Sequence, residues 1–288
     1  MNRWIVGARP RTLPAAVVPV LLGGAAAVGE PDAVWWRIVP AFVVSMALQV
    51  GVNYANDYSD GVRGTDDVRV GPTRLVVAGL ASASAVRRAA MAAFGVAAVT
   101  GLVLAAATSW WLLAVGAAAI AAGWFYTGGP SPYGYMGLGE IFVFVFFGVV
   151  ATAGTTFVVV ERVSGAAWLA GCLAGCLACA LLVVNNLRDI PTDTAVGKRT
   201  LAVRIGDRRT RWLYVGLHVS AGLLLVAFAL IGRAPVMIGL VGFVSAVPAV
   251  RAVRRGAAGS ALVAVLGATG RTQLAVGLLT AVGIAVSG

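Results

Sequence analysis

Long apolar runs separated by short polar segments dominate the chain. A membrane-spanning helix needs about 20 consecutive apolar residues. Nine segments come near this length: 12–29, 36–56, 88–108, 110–126, 140–160, 168–187, 212–231, 235–253 and 270–287. Strands of a membrane β-barrel would alternate apolar and polar residues over about ten positions, and these runs do not alternate. The pattern therefore predicts an all-α polytopic membrane protein with nine transmembrane helices.

Composition supports the bilayer as the solvent. Of 288 residues, 60% are hydrophobic and 11% are charged, whereas a soluble domain is about 45–50% apolar and about 25% charged. Arg3, Arg9 and Arg11 precede the first apolar run, as in a signal peptide, but eight further runs follow. We interpret the first run as an uncleaved membrane helix within one integral-membrane domain, 1–288.

The distribution of basic residues predicts the orientation. Of 22 Lys and Arg, all but Arg37, Arg162 and Arg233, hence 19, fall on the side of the N-terminus and even-numbered loops. The positive-inside rule places that side in the cytoplasm, with the longest loops, 57–87 and 188–211. We expect a multi-pass protein of the cell membrane with a cytoplasmic N-terminus and site. Topology and membrane lipid account for the formal charge of +11 without nucleic acid.

Asparagine and aspartate recur where the second and sixth predicted helices end. The first cluster contains Asn53, Asn56, Asp57 and Asp60, and the second contains Asn186, Asp189 and Asp193. Spacings of three and four place carboxylates on one face of a helix. The recurrence predicts two four-helix pseudo-repeats plus a ninth helix, with both clusters facing a central cavity open to the cytoplasm.

Facing carboxylates repel one another unless a cation lies between them. Oxygen ligands suit Mg²⁺, which binds through one or two carboxylates plus substrate phosphates. The acids are interleaved with bases that could bind the remaining phosphate oxygens: Arg63, Arg74, Arg188, Lys198, Arg199 and Arg204. These features favour a metal-bound diphosphate. The alternatives are solvated ion pairs in ordinary loops, or a cation or metabolite transporter, since intramembrane acids also mark ion paths.

The chain resembles the UbiA-type superfamily of intramembrane aromatic prenyltransferases, and within it the branch that prenylates 1,4-dihydroxy-2-naphthoate in menaquinone synthesis. The Asp clusters carry the superfamily resemblance. Further similarity lies in the segments Arg9–Pro14, Gly64–Asp66, Gly71–Arg74, Tyr126–Gly128, Pro132–Glu140, Asn185–Asp189 and Gly197–Arg204. The resemblance implies Mg²⁺-dependent transfer from a polyprenyl diphosphate to the naphthoate, with loss of CO₂ and diphosphate. It leaves 4-hydroxybenzoate, homogentisate or haem as alternative acceptors.

Roles for individual residues follow from the clusters and the resemblance. Metal ligands are expected at Asn53, Asp57, Asp60, Asp189 and Asp193, with the four aspartates and Lys198 as catalytic residues. Diphosphate binding is expected at Asn56, Arg63, Arg74, Asn186, Lys198, Arg199 and Arg204. Lys198 is notable because the other 21 of the 22 basic residues are arginine. A lone lysine indicates a position that favours a compact point charge.

Candidates for acceptor binding are Arg9, Arg11, Gln49, Tyr126, Tyr133 and Tyr135. The two arginines could instead be topology signals, the tyrosines an interfacial aromatic belt, and Gln49 a partner in a helix–helix hydrogen bond. Some superfamily members carry a base soon after the tyrosine that ends the fourth helix. Here Tyr126 is followed by Thr-Gly-Gly-Pro-Ser-Pro, so Arg9, Arg11 or Arg74 would supply that charge. The sequence predicts no oligomeric state.

Overall fold

The computed structural model describes residues 2–64, 71 and 73–287, and this part of the chain contains helices and no strand. Short 3₁₀ segments and one π segment, Phe144–Val150, connect the α-helices. The α-helices are α1 (Arg3–Ala8), α2 (Pro14–Ala25), α3 (Ile38–Arg63), α4 (Ala83–Ala107), α5 (Leu112–Phe125), α6 (Gly139–Val143), α7 (Ala151–Val160), α8 (Gly165–Ala195), α9 (Leu201–Leu230), α10 (Gly239–Gly242), α11 (Val247–Arg254) and α12 (Ser260–Val286). The predicted all-α class is confirmed.

The number of spans differs from the prediction. Among the described residues, seven helical segments are long and apolar enough to cross a membrane, or eight if the pair Arg3–Thr12 and Pro14–Ala25, bent by 54°, forms one span. The predicted span 110–126 corresponds to α5, which ends at Phe125 and is too short to pass that test. Nine spanning helices are therefore not confirmed, and the pseudo-repeat stays a prediction.

The helix α8 forms the centre of the bundle. It packs against α9, α12, α2 and the π segment. Glycines permit the closest approach, since an ideal Cβ on Gly148 of the π segment would lie 2.4 Å from the Cα of Gly175 in α8. Small residues allow such backbone contacts between membrane helices. Large apolar side chains such as Val99, Trp110 and Leu223 are exposed on the periphery, as expected where helices face lipid.

The two polar loops are shorter than predicted. Helix α3 continues through the first Asp cluster to Arg63, α8 continues to Ala195, and α9 begins at Leu201. The boundaries 57–87 and 188–211 were wrong because the polar residues occupy helix ends. Pro191 lies inside α8, where it removes one backbone donor. Both Asp clusters therefore lie within helices, the first in α3 and the second in α8.

Candidate active site

A central cavity of 790 Å³ lies between α3, α4, α5, the π segment, α7 and α8. Its polar end is at the C-terminal ends of α3 and α8, where Asp60, Asp189 and Asp193 line it. Its apolar lobe extends along α3, α4, α5 and α7 as far as Leu104, Leu112 and Val158. One cavity thus joins a charged site to a long apolar space.

Asp60 connects the two halves of the site. Its Oδ1 accepts hydrogen bonds from Lys198 Nζ at 2.9 Å and from Tyr135 Oη at 2.6 Å, and its Oδ2 lies 3.4 Å from Arg74 Nη2. Lys198 also lies over the Tyr135 ring, 4.7 Å from its centroid. The carboxylate and its partners Arg74 and Lys198 are buried, so these charges interact with little screening. The end of α3 and the connection after α8 are therefore in contact at Asp60 and Lys198.

Asp57 has a different position from Asp60. Its carboxylate accepts hydrogen bonds from the backbone N–H groups of Leu75 at 2.8 Å and Val76 at 3.1 Å, and it does not line the cavity. Asp57 thereby holds the turn that follows Arg74, which does line the cavity. Asp66, in one of the segments of family resemblance, lies outside the described residues.

On α8, Arg188 forms a two-pronged ion pair with its neighbour Asp189. Nε is 2.7 Å from Oδ1 and Nη2 is 2.8 Å from Oδ2, and Nη2 also donates to Asn185 Oδ1 at 2.8 Å. Gly71 lies against the guanidinium, since an ideal Cβ there would be 3.1 Å from Arg188 Cζ. Arg188 was noted in the sequence among the nearby bases, but its pairing with the adjacent Asp189 was not anticipated.

Three asparagines line the cavity, and they differ in whether the side-chain oxygen or the side-chain nitrogen is already hydrogen-bonded to the protein. Asn53 donates its amide to Ala8 O at 2.9 Å and Thr12 Oγ1 at 3.2 Å, so its oxygen remains for the cavity. Asn186 donates to Glu140 Oε1 at 3.0 Å, which likewise leaves an oxygen. Asn56 Oδ1 instead accepts from Thr127 Oγ1 at 2.8 Å, which leaves its amide N–H groups. Asn53 uses both of its N–H groups, whereas Asn186 uses one of its two on Glu140, so Asn56 and Asn186 each keep an N–H that suits a phosphate oxygen.

The N-terminal segment closes one side of the polar end. Arg9 adopts a left-handed conformation (φ 51°) between α1 and the following turn, and its guanidinium reaches the backbone oxygen of Asn53 at 3.4 Å. Gln49 lines the cavity and also donates a hydrogen bond to Thr12 Oγ1 at 3.1 Å. The structural role expected for Gln49, a hydrogen bond to another segment, is therefore present, and its position also allows contact with a ligand. Arg11 also lines the cavity.

Three tyrosines form another part of the cavity wall. Tyr126, Tyr133 and Tyr135 all line the cavity. Tyr133 stacks on Phe142 with 3.9 Å between ring centroids and donates its hydroxyl to Ala122 O at 2.8 Å. Burial raises the pKa of Tyr133, so this hydroxyl stays protonated and remains a donor. The wall is aromatic and suits a flat ring.

Three predicted diphosphate-binding arginines lie outside the cavity wall. Arg63 donates to the backbone oxygens of Thr127 and Gly129. Arg204 Nε donates to the backbone oxygen of Arg199 at 3.0 Å, and both of these side chains are exposed. Arg63 therefore fixes the connection after α5, while Arg199 and Arg204 are exposed and do not line the cavity.

The oxygen ligands at the polar end suit a hard cation. Asp60, Asp189, Asp193 and the two asparagine oxygens line one cavity, and Mg²⁺ prefers such ligands. Among the described residues, no group of three or more Asp, Glu, His or Cys side chains is arranged to hold a metal alone. This arrangement fits an ion that takes one or two carboxylates and completes its shell with phosphate oxygens.

These features define a helical membrane protein with an acidic and basic site beside an apolar cavity. The UbiA prenyltransferase family matches residues 16–263, and the chain belongs to that family. It is 53% identical over 240 residues to the 1,4-dihydroxy-2-naphthoate octaprenyltransferase of Mycobacterium tuberculosis, covering 83% of this chain and 82% of that protein. It is 34% identical over 241 residues to the enzyme of the same name from Escherichia coli, covering 79% and 76%.

The fold also resembles solved structures. A UbiA homologue from Archaeoglobus fulgidus, solved with DMAPP and Mg²⁺, superposes with a TM-score of 0.62 at 17% identity, covering 80% of this chain and 78% of that one. At this identity the likeness concerns the fold alone. The family resemblance inferred from the sequence is confirmed.

Proposed function

We propose that the chain transfers a polyprenyl group from polyprenyl diphosphate to 1,4-dihydroxy-2-naphthoate, releasing diphosphate and CO₂ and forming demethylmenaquinol, the hydroquinone form of demethylmenaquinone. The observation that carries the proposal is the single cavity that joins the Asp60–Lys198 site to a long apolar lobe. The naphthoate acceptor is supported by the two bacterial relatives that bear this activity in their names.

The donor's diphosphate would lie at the polar end. Lys198 and Arg74 supply positive charge and Asn56 supplies an amide donor, and all three line the cavity. Asp60, Asp189 and Asp193, with the oxygen of Asn53, would hold Mg²⁺. When bound, the metal would stabilise negative charge on the leaving diphosphate. Arg188 keeps the Asp189 carboxylate in a fixed orientation through its two hydrogen bonds.

The prenyl tail would occupy the apolar lobe. Side chains and backbone of small residues line this space, among them Gly101, Gly116 and Gly154. The reacting carbon of the donor would then lie where the polar end meets the lobe. A site that excludes water protects an allylic carbocation from hydrolysis. The apolar walls provide that exclusion on the membrane side.

The acceptor would lie against the aromatic wall formed by Tyr126, Tyr133 and Tyr135. Arg9 and Arg11 line the same cavity and could bind its carboxylate. The allylic C–O bond breaks with its electron pair leaving on the diphosphate, and the ring carbon that bears the carboxylate forms the new C–C bond. Loss of CO₂ returns an electron pair to the ring, so no strong general base is required.

The orientation in the membrane is part of the proposal. The contact between Asp60 and Lys198 requires the ends of α3 and α8 to lie on one side. The concentration of basic residues supports the cytoplasmic side. Donor and acceptor would therefore enter from the cytoplasmic face of the cell membrane, with the tail in contact with lipid.

Activity on a panel of acceptors tests the proposal. Purified protein in nanodiscs is incubated with Mg²⁺, a labelled polyprenyl diphosphate and, separately, the dihydroxynaphthoate, 4-hydroxybenzoate or homogentisate. We expect prenylated product, diphosphate and CO₂ only with the dihydroxynaphthoate. Prenylation of another acceptor alone would contradict the assigned acceptor. Absence of diphosphate release with every pair, together with cation flux in liposomes, would favour a transporter.

A further inference from the structure

Glu140 is a buried carboxylate that the mechanism above does not use. It is the second residue of the apolar segment 139–160, is 9% exposed, and does not line the cavity. Its Oε1 accepts the hydrogen bond from the Asn186 amide, while its Oε2 is buried without a hydrogen-bond partner in the described part of the chain. An acidic residue in an apolar membrane segment is costly and usually functional.

The bond to Glu140 determines what Asn186 presents to the cavity. A carboxylate only accepts hydrogen bonds, so the amide nitrogen of Asn186 must face Glu140. Asn186 lines the cavity, and its Oδ1 has no donor within the described residues. The side chain therefore offers Oδ1 as an acceptor, which would repel a phosphate oxygen placed against it, beside the one N–H that Glu140 does not use.

The depth of Asn186 favours the aromatic acceptor as its partner. It precedes Asp189 by one turn of α8, or about 4.5 Å toward the apolar lobe. Leu181 and Leu182 line the cavity just beyond it. The acceptor ring must lie on this membrane side of the diphosphate to reach the allylic carbon. Asn186 is therefore beside the ring's position rather than beside the leaving group.

Tyr126 is held close to the same place. An ideal Cβ on Gly139 would lie 3.1 Å from Tyr126 Cε2, 3.3 Å from its Oη and 3.5 Å from Leu182 Cδ2. The absence of a side chain at residue 139 thus allows the tyrosine to pack between the start of α6 and α8. Glu140, the next residue, is anchored further because Cys179 Sγ donates to its backbone oxygen at 3.1 Å.

We propose that Asn186 Oδ1 accepts a hydrogen bond from a ring hydroxyl of the aromatic acceptor, and that Glu140 is the positioning residue that orients it. This inference rests on the proposed function and names a hydroxyl-bearing ring as the ligand at this point of the cavity. The geometry explains a motif, Gly-Leu-Gly-Glu, whose acidic residue had no assigned role.

The test is steady-state kinetics with both substrates varied in Glu140→Gln, Glu140→Asp and Asn186→Leu. In Glu140→Gln the new side-chain amide can donate a hydrogen bond to Asn186 Oδ1. The oxygen of Asn186 would then face residue 140 and would no longer be directed at the cavity. A neutral hydrogen bond contributes about 0.5–1.5 kcal/mol, so we expect the acceptor KM to rise about 2- to 12-fold. The donor KM and the half-saturating Mg²⁺ concentration should stay within about twofold, and Glu140→Asp should recover part of the loss.

Inhibitors separate hydrogen bonding from a general structural defect. 1-Hydroxy-2-naphthoate and 4-hydroxy-2-naphthoate each lack one ring hydroxyl of the acceptor, and their inhibition constants are measured against it. In the wild type, one of them should bind more weakly than the other, and this difference should disappear in Asn186→Leu and Glu140→Gln. Glu30→Gln is the matched control, since Glu30 pairs with Arg162 away from the cavity wall.

Several outcomes would overturn the inference. These are an unchanged acceptor KM in Glu140→Gln, an equal loss for donor and acceptor, or a shift confined to Mg²⁺, which would make Asn186 a metal ligand. In each case the wild type and Glu30→Gln still prenylate the naphthoate, so the proposed function stands. A wild type without that activity would contradict the proposed function itself.

Discussion

Lys198 Nζ donates to Asp60 Oδ1 at 2.9 Å, although the two residues are 138 positions apart and belong to different halves of the chain. Tyr135 and Arg74 share the same carboxylate. The ammonium therefore lies against the Asp60 carboxylate and balances its charge. Because an ammonium group has three N–H donors, Lys198 could bind a phosphate oxygen of the donor together with Asp60 or in place of it.

The first prediction concerns Lys198→Ala. A charge-assisted hydrogen bond is worth roughly 1.5–3 kcal/mol, so kcat/KM for the donor should fall about 10- to 150-fold. The acceptor KM should change much less, and Lys198→Arg should restore only part of the activity because its planar head group differs in shape. Arg199→Ala, at an exposed neighbouring position, is the control. Unchanged donor kinetics would remove Lys198 from the diphosphate site.

The second prediction concerns the metal. Asp193 lines the cavity and is buried, so Asp193→Asn should raise the half-saturating Mg²⁺ concentration by about tenfold or more and lower turnover. Chelation should silence the wild type, and added Mg²⁺ should restore it. Asp32→Asn, at a side chain that is 80% exposed, should behave as the wild type. A normal Mg²⁺ requirement in Asp193→Asn would exclude this carboxylate as a ligand.

Much of this architecture could be predicted from the sequence. Apolar runs indicated the helices, and two similar Asn and Asp clusters at helix ends indicated one shared site. Lys198 stood out because it is the only lysine. The helices are confirmed, and Asp60, Asp189 and Lys198 line one cavity, whereas their roles stay predictions. Each prediction depends on a strong local signal, either burial of apolar residues in lipid or the cost of an unpaired charge.

Which side chain faces the cavity could not be predicted. Asp57 and Asp60 are three residues apart, yet one holds a turn and the other lines the site. One face of a helix is wide enough to include both aspartates. Which of them lines the cavity depends on the position of residues 73–80, whose backbone N–H groups bind Asp57. Arg63 likewise binds backbone oxygens that only the tertiary structure brings near. Glu140 could have been singled out as a charge within an apolar segment.

The third prediction distinguishes Asp57 from the residues that line the cavity. Asp57→Asn keeps one acceptor for the N–H groups of Leu75 and Val76 but loses the other, so the turn beside Arg74 should loosen. We expect a higher donor KM with an unchanged Mg²⁺ requirement. The effect should not add to that of Arg74→Gln, because both act through the same contact. A raised Mg²⁺ requirement would instead support Asp57 as a metal ligand.

The fourth prediction concerns topology. In a variant whose cysteines 172, 176 and 179 are replaced by alanine, Ser84→Cys and Ala195→Cys introduce single thiols near the two Asp clusters. A membrane-impermeant maleimide should label both only after the cell membrane is opened, whereas Pro31→Cys should react in intact cells. Labelling of positions 84 and 195 from opposite sides would contradict the orientation and the shared site.

The last prediction tests the apolar lobe as the site of the prenyl tail. Gly101 of α4 lines the lobe, and an ideal Cβ there would meet no atom within 4 Å. Gly101→Leu should therefore be tolerated by the fold while filling space that the tail would occupy. A buried CH₂ group contributes about 0.8 kcal/mol, so displacing one five-carbon isoprene unit should lower kcat/KM by about tenfold or more.

The decisive comparison is between long and short donors. Gly101→Leu should lose activity with an octaprenyl donor and keep it with dimethylallyl diphosphate, which has one isoprene unit instead of eight. Gly95→Leu makes the same change on the same helix at an exposed site that does not line the cavity, and it should affect neither donor. An equal loss with both donors would indicate a structural defect. No loss with either would place the tail elsewhere, because a leucine in the tail's path must compete with it for volume.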